Sequence, residues 1–229
     1  SVVALTLFMS GNIYRLRGEG RLLEVEKAGR PLLVFSFCVV FMGNLDTYFV
    51  AHFFGESVLG EYDIAFKVSS MFSLVVAAIS SVLAPEVARR NSCNDLSSMK
   101  STLMLISYTV TFMACCLAIG VYFFYPLVLE FLDVESQISR RIFAILMMGQ
   151  IANIFFGPVS VMLAMVGAKT LLVPVIVKVV LLNILLNYVF AHYWGVEGVA
   201  IATAGSLCLH KVWMYFAFRK VTGVGYLWG

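Results

Sequence analysis

Residues 31–90 read PLLVFSFCVVFMGNLDTYFVAHFFGESVLGEYDIAFKVSSMFSLVVAAISSVLAPEVARR. Two apolar stretches, 32–54 and 63–88, flank the short segment GESVLG. Each is as long as the roughly 20 residues a helix needs to cross about 30 Å of hydrocarbon. Four more such stretches follow at 103–125, 142–166, 171–192 and 198–218. This pattern predicts an all-α membrane protein with a six-helix transmembrane domain over 31–220. Segment 1–12 is apolar but too short to span, and reads as the tail of a preceding transmembrane helix. Segment 13–30 reads as a cytoplasmic linker, made partly amphipathic by Leu22, Leu23 and Val25, and 221–229 as a cytoplasmic tail.

Composition agrees. The chain is 61% hydrophobic and 13% charged, with a mean hydropathy of +0.94, whereas a water-soluble domain carries about 25% charged residues. The net charge of +3 matters through its placement. Arg15, Arg17, Arg21, Lys27 and Arg30 precede the first full span, Arg89, Arg90 and Lys100 separate the second and third, and Lys169 the fourth and fifth. Arg219 and Lys220 follow the sixth. The alternate junctions carry Glu56, Glu61, Glu130, Asp133, Glu135 and Glu197. Basic loops stay in the cytoplasm, so both ends of 31–220 are expected there, in a bacterial inner membrane; Arg140 and Arg141 dissent. Basic residues confined to helix ends form no stripe for nucleic acid. Cys38, Cys93, Cys115, Cys116 and Cys208 show no disulfide or metal spacing. The chain contains no Walker loop, GxSxG, HExxH or CxxC pattern, so neither ATP hydrolysis nor a cofactor is expected.

Local signals place the turns. Pro31 is expected to open the first full helix, residues 55–60 to form an outer turn, Asp63 to cap the second helix, and Asp95 or Ser97 to cap the third. Tyr122, Phe123, Phe124 and Tyr125 read as an outer aromatic belt. Gly157 and Pro158 interrupt the fourth span, as a hinge or cavity wall, or as a static kink. The sixth span is rich in small residues, including Ala204 and Gly205, which suits close helix packing.

Charged and amide side chains inside spans are the candidates for function, because each costs several kcal/mol in lipid unless it faces protein or water. Asp46 and Lys67 lie on consecutive antiparallel helices. They form a buried ion pair, or else Asp46 binds a coupling ion while Lys67 faces substrate. Lys178 has no acidic neighbour at its depth, which points to an anionic group such as a phosphate, or to a partner elsewhere. Asn183 and Asn187 share one helix face, and Gln150 and Asn153 another, for interhelical bonding or for sugar recognition. Lys211 is expected to snorkel toward the inner surface, and Glu86 to pair with Arg89 or Arg90.

Residues 44–89, with Asp46, Gly55, Gly60, Tyr62, Lys67, Pro85 and Arg89 in order, resemble polysaccharide-type lipid-linked oligosaccharide flippases. GPVSVMLAMVGAKT and NILLNYVFAHYWGVEGVAIATAGS are similar to further segments of that family. The resemblance implies the C-terminal six-helix lobe of a two-lobe MATE-like transporter of the multidrug/oligosaccharidyl-lipid/polysaccharide exporter superfamily. It implies alternating access that flips undecaprenyl-diphosphate-linked oligosaccharide from inner to outer leaflet. Surface polysaccharide such as O-antigen, capsule or exopolysaccharide would be assembled from it. Lys67 and Lys178 are the positions that could meet the diphosphate. Implied partners are the lipid-linked oligosaccharide, membrane lipids, an N-terminal six-helix half and a polysaccharide polymerase. A cation-coupled multidrug antiporter is the alternative within the superfamily. A membrane-embedded glycosyl- or acyltransferase is the alternative in another class, and it would need an acid–base constellation that these singly placed charges do not offer.

Overall fold

The computed structural model describes residues 19–93, 96–131 and 137–227. Among them the only regular elements are helices: α1 (Glu19–Ser70), α2 (Ser73–Ser92), α3 (Leu96–Phe131), α4 (Gln137–Phe156), α5 (Val159–Met165), a 3-10 turn (Lys169–Leu171) and α6 (Leu172–Thr222). Segment 1–12, most of the linker 13–30, Asp95, Asp133 and Glu135 lie outside the described residues or have undescribed side chains.

The two longest helices are hairpins. Gly55 has φ 81° and ψ 177° inside α1, and Gly195 has φ 64° and ψ −149° inside α6. Residues 16 apart on a straight helix are separated by about 24 Å. Yet Tyr62 Oη donates to Asp46 Oδ2 at 2.8 Å, so the chain reverses at Gly55. In α6 a Cβ built on Gly198 would lie 2.1 Å from the carbonyl oxygen of Phe190, which places the reversal at Gly195. Positive φ is the conformation only glycine adopts without strain.

Six membrane-length legs therefore exist among the described residues. The connection between α3 and α4 lies at the same end as both reversals. There Tyr125 Oη and Ser139 Oγ are 2.8 Å apart, and Ser139 Oγ donates to the Glu61 carbonyl at 3.1 Å. The two dissenting arginines are accounted for at this end: Arg141 pairs with Glu197 at 3.2 Å, and Arg140 lies over the Tyr122 ring. The opposite end carries Arg89, Arg90, Lys100, Lys169, Arg219 and Lys220, with Glu86 bonded to both Arg89 and Arg90 as expected.

Several local expectations are corrected. Pro31 lies inside α1, which begins at Glu19. The turn expected over 55–60 is a single residue, Gly55, after which helix resumes at once. Asp63 is therefore mid-helix, bonded to Lys67, and caps nothing. The aromatic belt is split: Phe123 and Phe124 are exposed, while Tyr125 is fully buried and stacks on Phe143 at 4.1 Å. The described part of the segment after α6 packs on the bundle. Val224, Tyr226 and Leu227 are buried, with Tyr108 Oη donating to the Leu227 carbonyl at 2.9 Å.

Packing divides the bundle into layers. An apolar cluster around Val50, Tyr62, Tyr125, Ile142, Phe143 and Val199 fills the reversal end. A second, around Leu83, Met99, Phe156, Met214, Phe218 and Tyr226, fills the tail end. Between them lie buried polar residues: Asn153, Asn183, Ser206, His210 and Lys211. α4 is the central helix, packed on α1, α3 and α6. Outward, Phe37, Leu105, Phe112 and Phe123 are each about 70% exposed, a surface that only lipid or further protein covers. The chain is a multi-pass membrane protein.

Close approach of α4 and α6 rests on small residues. A Cβ on Gly149 would lie 2.9 Å from Ala204. The tighter case is Gly198, where the obstacle is backbone. Gly198→Ala is expected to lower stability by about 3 kcal/mol or more. Gly205→Ala, with open space around the added methyl, should change it by less than about 1 kcal/mol. Thermal unfolding of the two purified variants in detergent checks the contrast.

Candidate functional site

The polar layer opens into a cavity of about 400 Å³. Phe35, Val39 and Met42 of α1 with Leu207 of α6 make one apolar wall. Gln150 and Asn153 of α4 and Asn183 and Thr203 of α6 also line it. Helical spacing explains these groupings. Thr203, Leu207 and His210 follow the i, i+4, i+7 pattern of one face, and Lys211 borders it.

Two helix discontinuities meet at this cavity. Ser70 and Ser73 flank the break between α1 and α2, and Asn153 and Ser160 flank the break between α4 and α5; all four line the cavity. The first break contains neither Gly nor Pro. Ser69 Oγ donates to the Phe66 carbonyl at 2.9 Å and Ser70 Oγ to the Lys67 carbonyl at 2.8 Å. The backbone then shifts to i−3 bonds, Phe72 N–H to the Ser69 carbonyl at 3.2 Å and Leu74 N–H to the Met71 carbonyl at 3.0 Å. Hydroxyls that bond back to the preceding turn compete with the ladder and bend helices in this way.

The second break is the expected one at Gly157 and Pro158. Gly157 has φ 64°, and Pro158 brings no N–H. The carbonyls of Phe156 and Gly157 lose their helical partners and would cost several kcal/mol unpaired in a membrane interior. Both are satisfied from α6 and the tail. Lys211 Nζ donates to the Gly157 carbonyl at 3.1 Å, and Tyr226 Oη to the Phe156 carbonyl at 2.8 Å. The ammonium also lies at the C-terminal, negative end of α4, where a cation is favoured. Lys211 is 7% exposed and does not snorkel; the freed carbonyl holds it inside.

The structure brings only some of the sequence candidates together. Gln150, Asn153 and Asn183 line the cavity, with Asn153 Nδ2 donating to Gln150 Oε1 at 3.1 Å. Asn187 is fully buried behind Asn183, and its Nδ2 donates to the Asn183 carbonyl at 3.0 Å. Asp46 is 1% exposed and accepts from Tyr62 Oη, from the Thr47 N–H at 2.9 Å and from Thr203 Oγ1 at 3.5 Å. The Asp46–Lys67 ion pair does not form. Because helix begins directly after Gly55, Lys67 sits about 17 Å down its leg, with its ammonium turned to Asp63 and its side chain 71% exposed. Lys178 is exposed as well, on a different face from buried Asn183, as their five-residue spacing requires. Neither lysine lines the cavity.

The residues that sequence reasoning passed over are His210, Ser70, Ser73, Ser160 and Thr203, and Lys211 was given only a snorkelling role. Three groups of the layer, Asn183 Oδ1, Ser206 Oγ and His210 Nε2, are buried without a hydrogen-bond partner among the described residues, and the Asn183 and His210 side chains line the cavity. None of the described lining residues is acidic. The site is a mostly apolar cavity that carries a strip of amides and hydroxyls and one ammonium.

Comparison with known families decides the class. The MatE family matches residues 31–189, more than half of the chain. The chain belongs to the MatE family. MatE proteins belong to the MATE exporter superfamily and are membrane transporters, not enzymes. The six legs and the polar chamber of this MatE chain are therefore the lobe of an export machine. No curated protein and no solved structure matches it.

If the Phe156 carbonyl depends on Tyr226, Tyr226→Phe should cost about 1–3 kcal/mol, the penalty for stranding a buried acceptor. Tyr193→Phe, at a ring 76% exposed, should cost less than about 0.5 kcal/mol. Parallel thermal denaturation of the two variants in lipid nanodiscs reads the difference.

Proposed function

We propose that this MatE chain flips a lipid-linked oligosaccharide, moving a glycan-diphosphate headgroup between leaflets by alternating access while the lipid tail stays in hydrocarbon. One observation carries the reading. The chamber presents amides and hydroxyls with unmet hydrogen-bonding capacity beside a buried ammonium, and no carboxylate lines it among the described residues. Sugar hydroxyls pair with such amides, and a cation favours the phosphate end of the headgroup. In this reading Gln150, Asn153 and Asn183 hold the glycan, and the breaks at Gly157–Pro158 and Met71–Phe72 let the chamber change shape. Lys67 and Lys178 meet the diphosphate only in a space formed against a second, N-terminal lobe. The basic end of the bundle faces the cytoplasm of a bacterial inner membrane, and a polysaccharide polymerase uses the flipped product.

A second reading has its own support. The walls of Phe35, Val39, Met42, Phe66 and Leu207 suit flat apolar cargo. Asp46 is a buried carboxylate one hydrogen bond from the cavity-lining Thr203. Both features fit a cation-coupled drug exporter, with Asp46 as the coupling group.

Complementation separates the two. The full-length gene should restore surface glycan in a flippase-deficient strain without conferring drug efflux; efflux with no restored glycan would reject the flippase reading. Asn183→Leu removes an acceptor that bonds nothing in the protein, so the fold should persist. Glycan display at equal protein level should nevertheless fall about tenfold, the loss of one good hydrogen bond to the cargo.

A further inference from the structure

We infer that Lys211 is a phosphate subsite whose occupation unlatches the Gly157–Pro158 break. Three observations meet at one atom. The ammonium of Lys211 is buried, yet among the described residues it has a single partner, the Gly157 carbonyl, which leaves two of its three donors unmet. It borders the cavity beside His210, whose Nε2 also lacks a partner. Its one acceptor is the carbonyl set free by the helix break, so the charge that would receive an anion is the charge that fastens the hinge.

The energetics give the direction. A bond between an ammonium and a phosphate oxygen has both members ionised and is roughly twice as strong as one to a neutral carbonyl. A phosphate at Nζ therefore outcompetes Gly157. Even where it uses only the two unmet donors, its charge cancels the field that steadies the negative end of α4. Either way the hold on the break weakens, and α5 is released from α6. The apolar alternative is poor: a cargo without an anion leaves the ammonium on Gly157 and the break fastened. Cargo recognition and permission to move are thus carried by one side chain. The inference rests on the flippase reading only for what carries the phosphate.

The test uses the full-length transporter in lipid nanodiscs and hydrogen–deuterium exchange over residues 156–162. The probes are inorganic pyrophosphate and neutral glucose, with sodium chloride holding the ionic strength equal. With pyrophosphate the amides of this segment should exchange about tenfold faster, the mark of a local opening, and with glucose they should not. Lys211→Gln keeps a donor for Gly157 but no charge, and should abolish the response, whereas Lys211→Arg should retain it. Unchanged exchange in the wild-type protein at saturating pyrophosphate would overturn the inference, as would a full response in Lys211→Gln or a response to glucose alone. The wild-type arm decides even if a variant fails to insert. A pyrophosphate response in a protein that exports no glycan would reject the flippase reading and leave the latch standing.

Discussion

A membrane interior offers no water to a backbone group that has lost its partner, and this constraint organises the whole bundle. At Gly157 and Pro158 the chain gives up two helical carbonyl bonds, and the rest of the tail-end architecture answers that loss. Lys211 is held inside α6 because Gly157 needs a donor, and Tyr226 is drawn in because Phe156 needs another. The buried tail then follows: Leu227 N–H donates to Tyr215 Oη at 3.4 Å, and the Tyr215 and Tyr226 rings meet edge to face. The break at Gly157 and Pro158 thus accounts for both a buried cation and a folded-back terminus.

The layering turns this local device into a site. Apolar clusters at the two ends hold the helices together, while the middle layer holds amides, hydroxyls and an ammonium that neither cluster could tolerate. Both helix breaks fall in that layer. Breaks bordering a polar chamber are where transporter helices bind cargo and bend, since irregular backbone at membrane depth survives only beside protein or water. Membership in the MatE family places this arrangement among exporters.

Much of the fold was legible because its signals are local. Length and apolarity marked the six legs, the segment 55–60 marked the first reversal without its single pivot, and Pro158 marked a break. The charge asymmetry of the ends was visible as alternation along the chain. Errors arose where a local rule met a tertiary demand. Pro31 and Asp63 suggested helix starts, but helix already ran through both positions, and this moved Lys67 from the membrane edge toward its middle. The Met71–Phe72 break carries no breaker residue; it is made by serine hydroxyls whose effect depends on their rotamers. Lys211 follows the snorkelling rule in sequence and breaks it in space, because the acceptor that holds it is 54 residues away. Helical spacing paired Gln150 with Asn153 and Asn183 with Asn187 on common faces; that three of these four border one cavity is a product of tertiary packing. That Lys178 and Lys67 lie outside it was not, since charge within a span marks cost without saying which neighbour meets it.

The account depends most on the chamber being wet and able to take an anion at Lys211. A density map of the full-length transporter in lipid nanodiscs, at a resolution that shows side chains and ordered solvent, tests this directly. It should show water or a headgroup oxygen within hydrogen-bonding distance of both Lys211 Nζ and Asn183 Oδ1. A chamber filled by apolar side chains or an acyl chain, with Lys211 turned out toward the membrane surface, would contradict it.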